Sequence, residues 1–411
     1  MDLQKVAKTN RIQKFLLLLF VFAIYVFFSY FDNRINGQNT TALALSYEYG
    51  FVPRGLIGTI MRLVGNVISV DLLTYNGAFW FSVGATIVYF MVLFFLYWTC
   101  LRKVKSDDHS LVEMLILFAS IFMFPEFLTS QNFGRLDEYL MIVTLLGIIL
   151  LVIEKAEILL IPLCAIGTLI HAGFVFTNVA IILILLIWKA FEREGKERKK
   201  YIFLFASCFV TVSIFFLYFE IFQGPFSQAS YEEIVMLAKS MAYDGKDISH
   251  SLLDSEILKL DVFEDEWKWH VCNFVETPIF LLFMSPIISI MVKFVRGLWN
   301  KCETVIEKMK YLLLLIGVGT LLPSLILKID YGRWFYCIFA YYVLLAIALV
   351  VLKDKKFIMQ CKEIGALINS KVVYKWGLLV YLMLFMPFRD VRISDISTNI
   401  TEFLAATFGW W

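Results

Sequence analysis

Three arginines in this chain stand in short polar runs that also hold carboxylates and aromatic rings. Arg54 closes Tyr47-Glu48-Tyr49-Gly50-Phe51-Val52-Pro53-Arg54, Arg135 sits in Asn132-Phe133-Gly134-Arg135-Leu136-Asp137-Glu138, and Arg333 in Lys328-Ile329-Asp330-Tyr331-Gly332-Arg333-Trp334. A guanidinium is planar and always charged, and its paired N–H donors match phosphate oxygens two at a time. Such groups can hold a diphosphate and stabilise it as it leaves, which needs no metal and no cofactor. Glu48, Asp137, Asp330 and His171 are the groups able to take a proton from an attacking hydroxyl. Their residue types do not rank them. A plainer chemistry is also open: arginine and carboxylate neutralise each other at a helix start, and a single boundary histidine serves as a polar cap.

The elements that must position these residues are membrane spans. Of the 411 residues, 60% are hydrophobic and 18% charged, and the mean hydropathy is +0.76. A soluble domain of this length needs far more charge to cover its surface. Apolar runs near the ~20 residues that cross ~30 Å of hydrocarbon recur along the chain. They predict an all-α polytopic protein of eleven spans: 15–31, 76–101, 111–127, 138–153, 158–171, 173–188, 201–221, 275–295, 311–328, 334–352 and 375–388. The first reads as a retained span rather than a signal peptide, because no small-residue cleavage site follows it. No repeat or linker interrupts the chain, so 1–411 reads as one membrane domain.

Charge fixes the expected orientation. If 158–188 is a hairpin turning at His171-Ala172-Gly173, one set of segments collects 25 of the 37 Lys and Arg residues. Lysine-rich runs such as 196–200 and 353–356 then face inward, with the N-terminus inside and the C-terminus outside. The other side holds 12 basic residues, of which seven are arginine: Arg34, Arg54, Arg62, Arg135, Arg333, Arg389 and Arg392. Topology demands lysine inside; it does not demand arginine outside. The spans themselves carry almost no charge at mid-depth, which argues against pumps and proton-coupled carriers.

Two outer segments are large enough to carry structure. In the first, 32–75, Leu56, Ile57, Ile60, Met61, Val64, Val67 and Ile68 have helical spacing with Arg62 and Asn66 opposite. This predicts a short interfacial helix with Pro53 in its first turn, whose free amides beside Arg54 suit an anion. The second, 222–274, carries ten acidic and four basic residues. Here Tyr231–Ala242 reads as an amphipathic helix and Asp244-Gly245-Lys246-Asp247 as a turn. Trp267 and Trp269 beside carboxylates, with Trp334, suit the apolar faces and hydroxyls of sugars; a solvated cap over the bundle explains the same residues. No Walker motif, metal-ligand spacing, Gly-x-Ser-x-Gly or paired CxxC is present.

In its segments Gly50–Gly55, Gly134–Asp137 and Asp330–Arg333, and in its architecture, the chain resembles the bacterial O-antigen and capsular polysaccharide polymerases of the Wzy type. That resemblance implies a metal-independent glycosyltransferase without cofactors in the bacterial inner (plasma) membrane, its active site facing outward. It implies transfer of a glycan from undecaprenyl diphosphate to another lipid-linked repeat unit for O-antigen, capsule or exopolysaccharide. Implied partners are the lipid-linked oligosaccharide, membrane lipid, and a chain-length regulator and flippase of the same pathway, with no nucleic acid. Such polymerases often enlarge two outer loops; this chain enlarges one. The alternatives are a GT-C-type glycosyltransferase using a polyprenyl-phosphate sugar, for which Asp32 or Glu48 would be the acid, and a flippase or transporter of lipid-linked glycan. The orientation itself is testable. Reporter fusions at Lys105, Gly195 and Lys355 should read cytoplasmic, and fusions at Gly37 and Asp247 external; an external signal at Gly195 would reverse half of the proposed arrangement.

Overall fold

The computed structural model describes residues 34–103, 133–260, 266–321 and 331–371, with 373, 374, 376–378, 381 and 407. Among these residues the chain is all-helical, with no strand. It divides into two compact units, one formed by Ala23–Tyr97 and Glu126–Val262, the other by Met1–Phe22, Trp98–Pro125 and Phe263–Trp411. The expected spans 15–31 and 111–127, most of 375–388, and Asp32, Asp330, Arg389 and Arg392 lie outside the described residues.

The first unit starts with a short buried helix, α1 (Gly37–Ala44), capped by Asn36, whose side chain accepts from the Asn39 amide. α2 (Gly55–Ile68) follows where the apolar spacing predicts a helix. Its 14 residues cover about 21 Å, short of the hydrocarbon thickness. The expected apolar stripe divides in two. Ile57 and Met61 are buried, while Ile60, Val64, Val67 and Ile68 are exposed. What presses α2 inward is a glycine face: a Cβ at Gly58 would fall on the carbonyl oxygens of Leu43 and Leu45. Pro53 does not occupy the first turn as expected; the helix starts at Gly55 with Arg54 as its N-cap, so Pro53 lies in the turn before it.

Next come α3 (Tyr75–Lys103), α4 (Leu136–Ile153), α5 (Leu160–Ile170), the single-turn α6 (Phe174–Thr177), α7 (Val179–Glu192) and α8 (Gly195–Leu217). Among the described residues three stretches are long and apolar enough to cross a membrane, Tyr75–Thr99, Leu136–Ile153 and Gly195–Phe222. The last exposes Ile202, Phe203, Phe209, Val210 and Ile214, a surface suited to lipid and costly in water. This is a membrane protein.

Ion pairs fix the directions of these helices. Glu154, just after α4, accepts from Lys189 and Arg193 at the end of α7; Glu157, just before α5, accepts from Lys200 and Tyr201 at the start of α8. So α4 and α7 run one way and α5 and α8 the other, and the segment 158–188 is a hairpin. Its turn begins at His171, which caps α5. One pole of the unit is therefore rich in lysine. The opposite pole carries the start of α4, the end of α8 and the loops around α1 and α2.

Two further helices of this unit, α9 (Gln228–Met241) and α10 (His250–Glu256), come from the long loop. Ser227 and Ser249 cap them through their hydroxyls. Between them Asp244 accepts from the Lys246 and Asp247 amides at 2.9 and 2.8 Å, with Gly245 at φ +70°, which is the predicted turn. Those amides hold the Asp244 carboxyl below its ordinary range.

The second unit holds α11 (Glu266–Asn300), α12 (Val305–Ile316), α13 (Tyr331–Val351) and α14 (Lys355–Asn369). α11 runs 35 residues through Pro278 and Pro286. A capping box, Thr304 with Glu307, starts α12. Lys356 closes onto Glu307 at 2.8 Å, Tyr311 donates to Asp354 at 2.7 Å, and Lys301 to Glu363 at 2.6 Å, so α14 is fastened to the ends of its neighbours. The sequence reading leaves 353–374 as an inner connection. Its helix is short and polar on one side, which hides it from a search for spans.

Candidate functional site

The arginine pole of the first unit is assembled by docking the 223–260 loop onto the 34–55 loop. The Gly37 amide donates to Asp247 Oδ2 at 2.9 Å, the Ser249 amide to Thr41 Oγ1 at 3.0 Å, and Gln223 Nε2 to the Phe51 carbonyl at 2.6 Å. Arg34 stacks its guanidinium 4.2 Å from the Tyr243 ring centre. Phe51 fills the seam, with its ring 5.1 to 5.5 Å from those of Tyr47, Tyr218 and Phe219. The two segments that the sequence marks as carrying unexplained polar residues are thus one layer.

Arg54 meets this layer from beneath. Its guanidinium lies 2.8 Å from Glu256 Oε1 at the end of α10, with the two side chains 19% and 15% exposed. Its backbone is left-handed, at φ 62° and ψ 7°. That region costs a non-glycine residue roughly 1–2 kcal/mol, so the surrounding contacts must hold it there. Two of them are visible: the Gly55 amide donates to the Val52 carbonyl, and Thr59 Oγ1, bonded to the Gly55 carbonyl, accepts from the Tyr47 amide. The anion beside the start of α2 is a carboxylate of the protein, supplied from 202 residues away.

The other expected site residues fall in separate places. Glu48 pairs with Arg62, not with Arg54, and Arg62 also donates to the Tyr49 hydroxyl at 2.9 Å. Glu48 is 58% exposed, on the rim. Burial raises the Tyr49 hydroxyl, Arg62 opposing it, and pushes Tyr47 up to about 12, so both rings stay neutral donors. Arg135 is the N-cap of α4 and lies 3.9 Å from Asp137. The Asn39 side chain donates to the Phe133 carbonyl at 2.9 Å, which joins this run to α1. His171 is at the same pole; its Nδ1 accepts from the Gly173 amide at 2.8 Å, which fixes a proton on Nε2 when the ring is neutral. Arg333 and Trp334 fall in the first turn of α13, and Trp267 and Trp269 in that of α11, all four in the second unit.

Two features escaped the sequence reading. Glu256 carries no local motif, and only the loop's docking reveals it. Charge is also more deeply placed than expected: Glu138, Glu157 and Lys189 are all buried. The latter two are paired at the lysine pole, which is how they are tolerated beside hydrocarbon. Among the described residues no group of three or more His, Cys, Asp or Glu side chains could hold a metal ion. No protein-family model, curated protein or solved structure matches this chain.

Chemically the pole offers half-buried guanidinium groups paired with carboxylates. A phosphate at this pole would compete with the carboxylate for the same donors and, by taking them, would release a base. The Arg54–Glu256 pair is testable as a unit. In a double-mutant cycle with Arg54→Ala and Glu256→Ala, thermal unfolding should show a coupling of about 1–3 kcal/mol, against about 0–1 kcal/mol for the exposed Arg62–Glu48 pair. Arg54→Gly should be milder than Arg54→Ala by about 1 kcal/mol, because glycine removes the left-handed strain. Equal coupling in both pairs would reduce Arg54–Glu256 to an ordinary surface contact.

Proposed function

We propose that this protein polymerises lipid-linked oligosaccharide repeat units at the outer face of the bacterial inner membrane. The observation that carries the reading is Arg54, half-buried, strained, and held by Glu256 under a docked loop at the pole where Arg135 and Asp137 also lie. A guanidinium in that setting is preorganised for an anion, and the pole opposite to the lysine-rich one is the outer side by the positive-inside rule.

In the proposed step, an acceptor sugar hydroxyl attacks the anomeric carbon of the donor glycan. The bond from that carbon to the diphosphate oxygen breaks, and undecaprenyl diphosphate departs with the electron pair. Arg54 and Arg135 turn from their carboxylates to the phosphate oxygens and balance the charge that develops. Glu256 or Asp137, released from its arginine, accepts the hydroxyl proton. His171 presents an N–H at the same pole. Arg333 and Asp330, with Trp267, Trp269 and Trp334 as sugar contacts, belong to the proposal on sequence grounds alone.

A second reading, transport of the lipid-linked glycan, is favoured by one observation. The first unit has charged clusters at both poles, and an alternating-access carrier needs polar groups at each. Deletion of the gene separates the readings. A polymerase mutant should accumulate single repeat units on the carrier or the acceptor at the outer face, with no long chains. Units trapped at the inner face would establish transport, and loss of one sugar decoration from otherwise normal chains would establish a GT-C-type transferase. In complemented strains at matched protein level, Arg54→Lys, Arg135→Lys and Arg333→Lys should each shorten chains sharply, since loss of one donor to a developing anion costs roughly 10²–10³ in rate. Near-normal chains from all three would remove the diphosphate clamp.

A further inference from the structure

Next to the arginine pole, the interface between α3 and α4 holds a carboxyl group that the proposed transfer does not use. Glu138 is 0% exposed, and neither of its oxygens has a hydrogen-bond partner. The other buried acid described in this unit, Glu157, is matched by Lys200 and Tyr201. Among the described residues, the polar groups that face Glu138 are hydroxyls. Thr86 lies beside the carboxyl but spends its proton on the Ser82 carbonyl at 3.0 Å. Ser82 Oγ and the Tyr139 hydroxyl lie beside each other and are buried. Tyr89, fully buried, closes the set.

The α3 residues recur at spacings of four and three, so Ser82, Thr86 and Tyr89 line one face. The backbone before α4 comes in close beside them: a Cβ on Gly134 would sit 3.1 Å from Ser82 Oγ, and Phe81 stacks on Tyr139 at 6.2 Å. Of the charged groups nearest in sequence, Asp137 and Arg135 pair with each other. From the other helices packed on α4, α5 brings Cys164, and α7 brings Lys189 and Glu192 at the opposite pole, where Lys189 is bound to Glu154.

One carboxylate among neutral hydroxyl oxygens, with no basic side chain beside it among the described residues, is a site of charge −1. A divalent ion calls for two or more carboxylates, whereas a small hard cation of charge +1 matches an all-oxygen set with one. A buried acid left unmatched costs several kcal/mol, and such residues inside membrane helices mark ion or proton paths. We infer that Glu138, Ser82, Thr86 and Tyr139 form an exchangeable site for one small monovalent cation, a proton or sodium. The site lies one residue from the Arg135–Asp137 pair, so its occupancy reaches the arginine pole through the first turn of α4.

Dicyclohexylcarbodiimide tests this on the intact protein in lipid vesicles, because it couples to a carboxyl that carries its proton in an apolar setting. Peptide mass spectrometry then reads the adduct on Glu138. The inference predicts that labelling falls roughly tenfold or more from acid to alkaline buffer, since each pH unit above a titration midpoint lowers the protonated fraction tenfold. Sodium chloride should suppress labelling, relative to choline chloride, if sodium is the cation, and should have no effect if the site takes only protons. No adduct on Glu138 under any condition, or labelling that neither pH nor sodium changes, would overturn the inference and leave a sealed structural acid. The readout is on the wild-type chain, so it does not depend on a variant folding. It is also independent of whether the chain makes long glycans.

Discussion

The arrangement of this protein follows from the cost of placing charge beside hydrocarbon. A lone ion in that setting costs several kcal/mol, and only a partner or water relieves it. Each unit meets the cost by moving its charges to helix ends and tying them together there. Glu154 and Glu157 collect Lys189, Arg193 and Lys200 in the first unit; Asp354, Glu307 and Glu363 collect Lys310, Lys356 and Lys301 in the second. In the first unit the same pairs set helix direction, because Glu154 joins the ends of α4 and α7 and Glu157 joins the starts of α5 and α8. Arg54 obeys the rule in a different way: its partner arrives on a loop, so the loop's docking and the arginine's pairing are one event.

That coupling gives the arginine pole its chemical character. Surface arginines are mobile and screened, whereas Arg54 is fixed by a left-handed backbone, a half-buried carboxylate and an aromatic seam around Phe51. A group held in this way loses little entropy when an anion replaces its carboxylate. In the proposed transfer, the same exchange would produce a base where the attacking hydroxyl needs one. Glu138 breaks the pairing rule next to this pole, which is why it stands out as a site for a cation rather than as a structural acid.

Much of this was legible in the sequence, and what was not has a physical reason. Apolar runs mark the helices Tyr75–Lys103, Leu136–Ile153 and Gly195–Leu217, and lysine placement requires the reversal at His171. The turn at Asp244–Asp247 followed from its residue types. Partners distant in sequence leave no local signal. The sequence alone puts Arg62 opposite an apolar stripe with no sign of Glu48, and Arg54 beside free amides with no sign of Glu256. It also leaves α1 and α10 unassigned, because helices of eight and seven residues have no useful period and are held by docking. Glu138 falls at the first position of an apolar run and so reads as a boundary residue; only the packing of α3 against it shows that it is buried.

The central claim is that the arginine pole transfers glycan from one lipid diphosphate to another repeat unit. The purified full-length protein, reconstituted in liposomes with undecaprenyl-diphosphate-linked repeat units as the only glycan, tests it most directly. The account predicts a ladder of products of two or more units, with one undecaprenyl diphosphate released for each bond formed. Unchanged single units, or single units moved across the bilayer without release of the carrier, would contradict it.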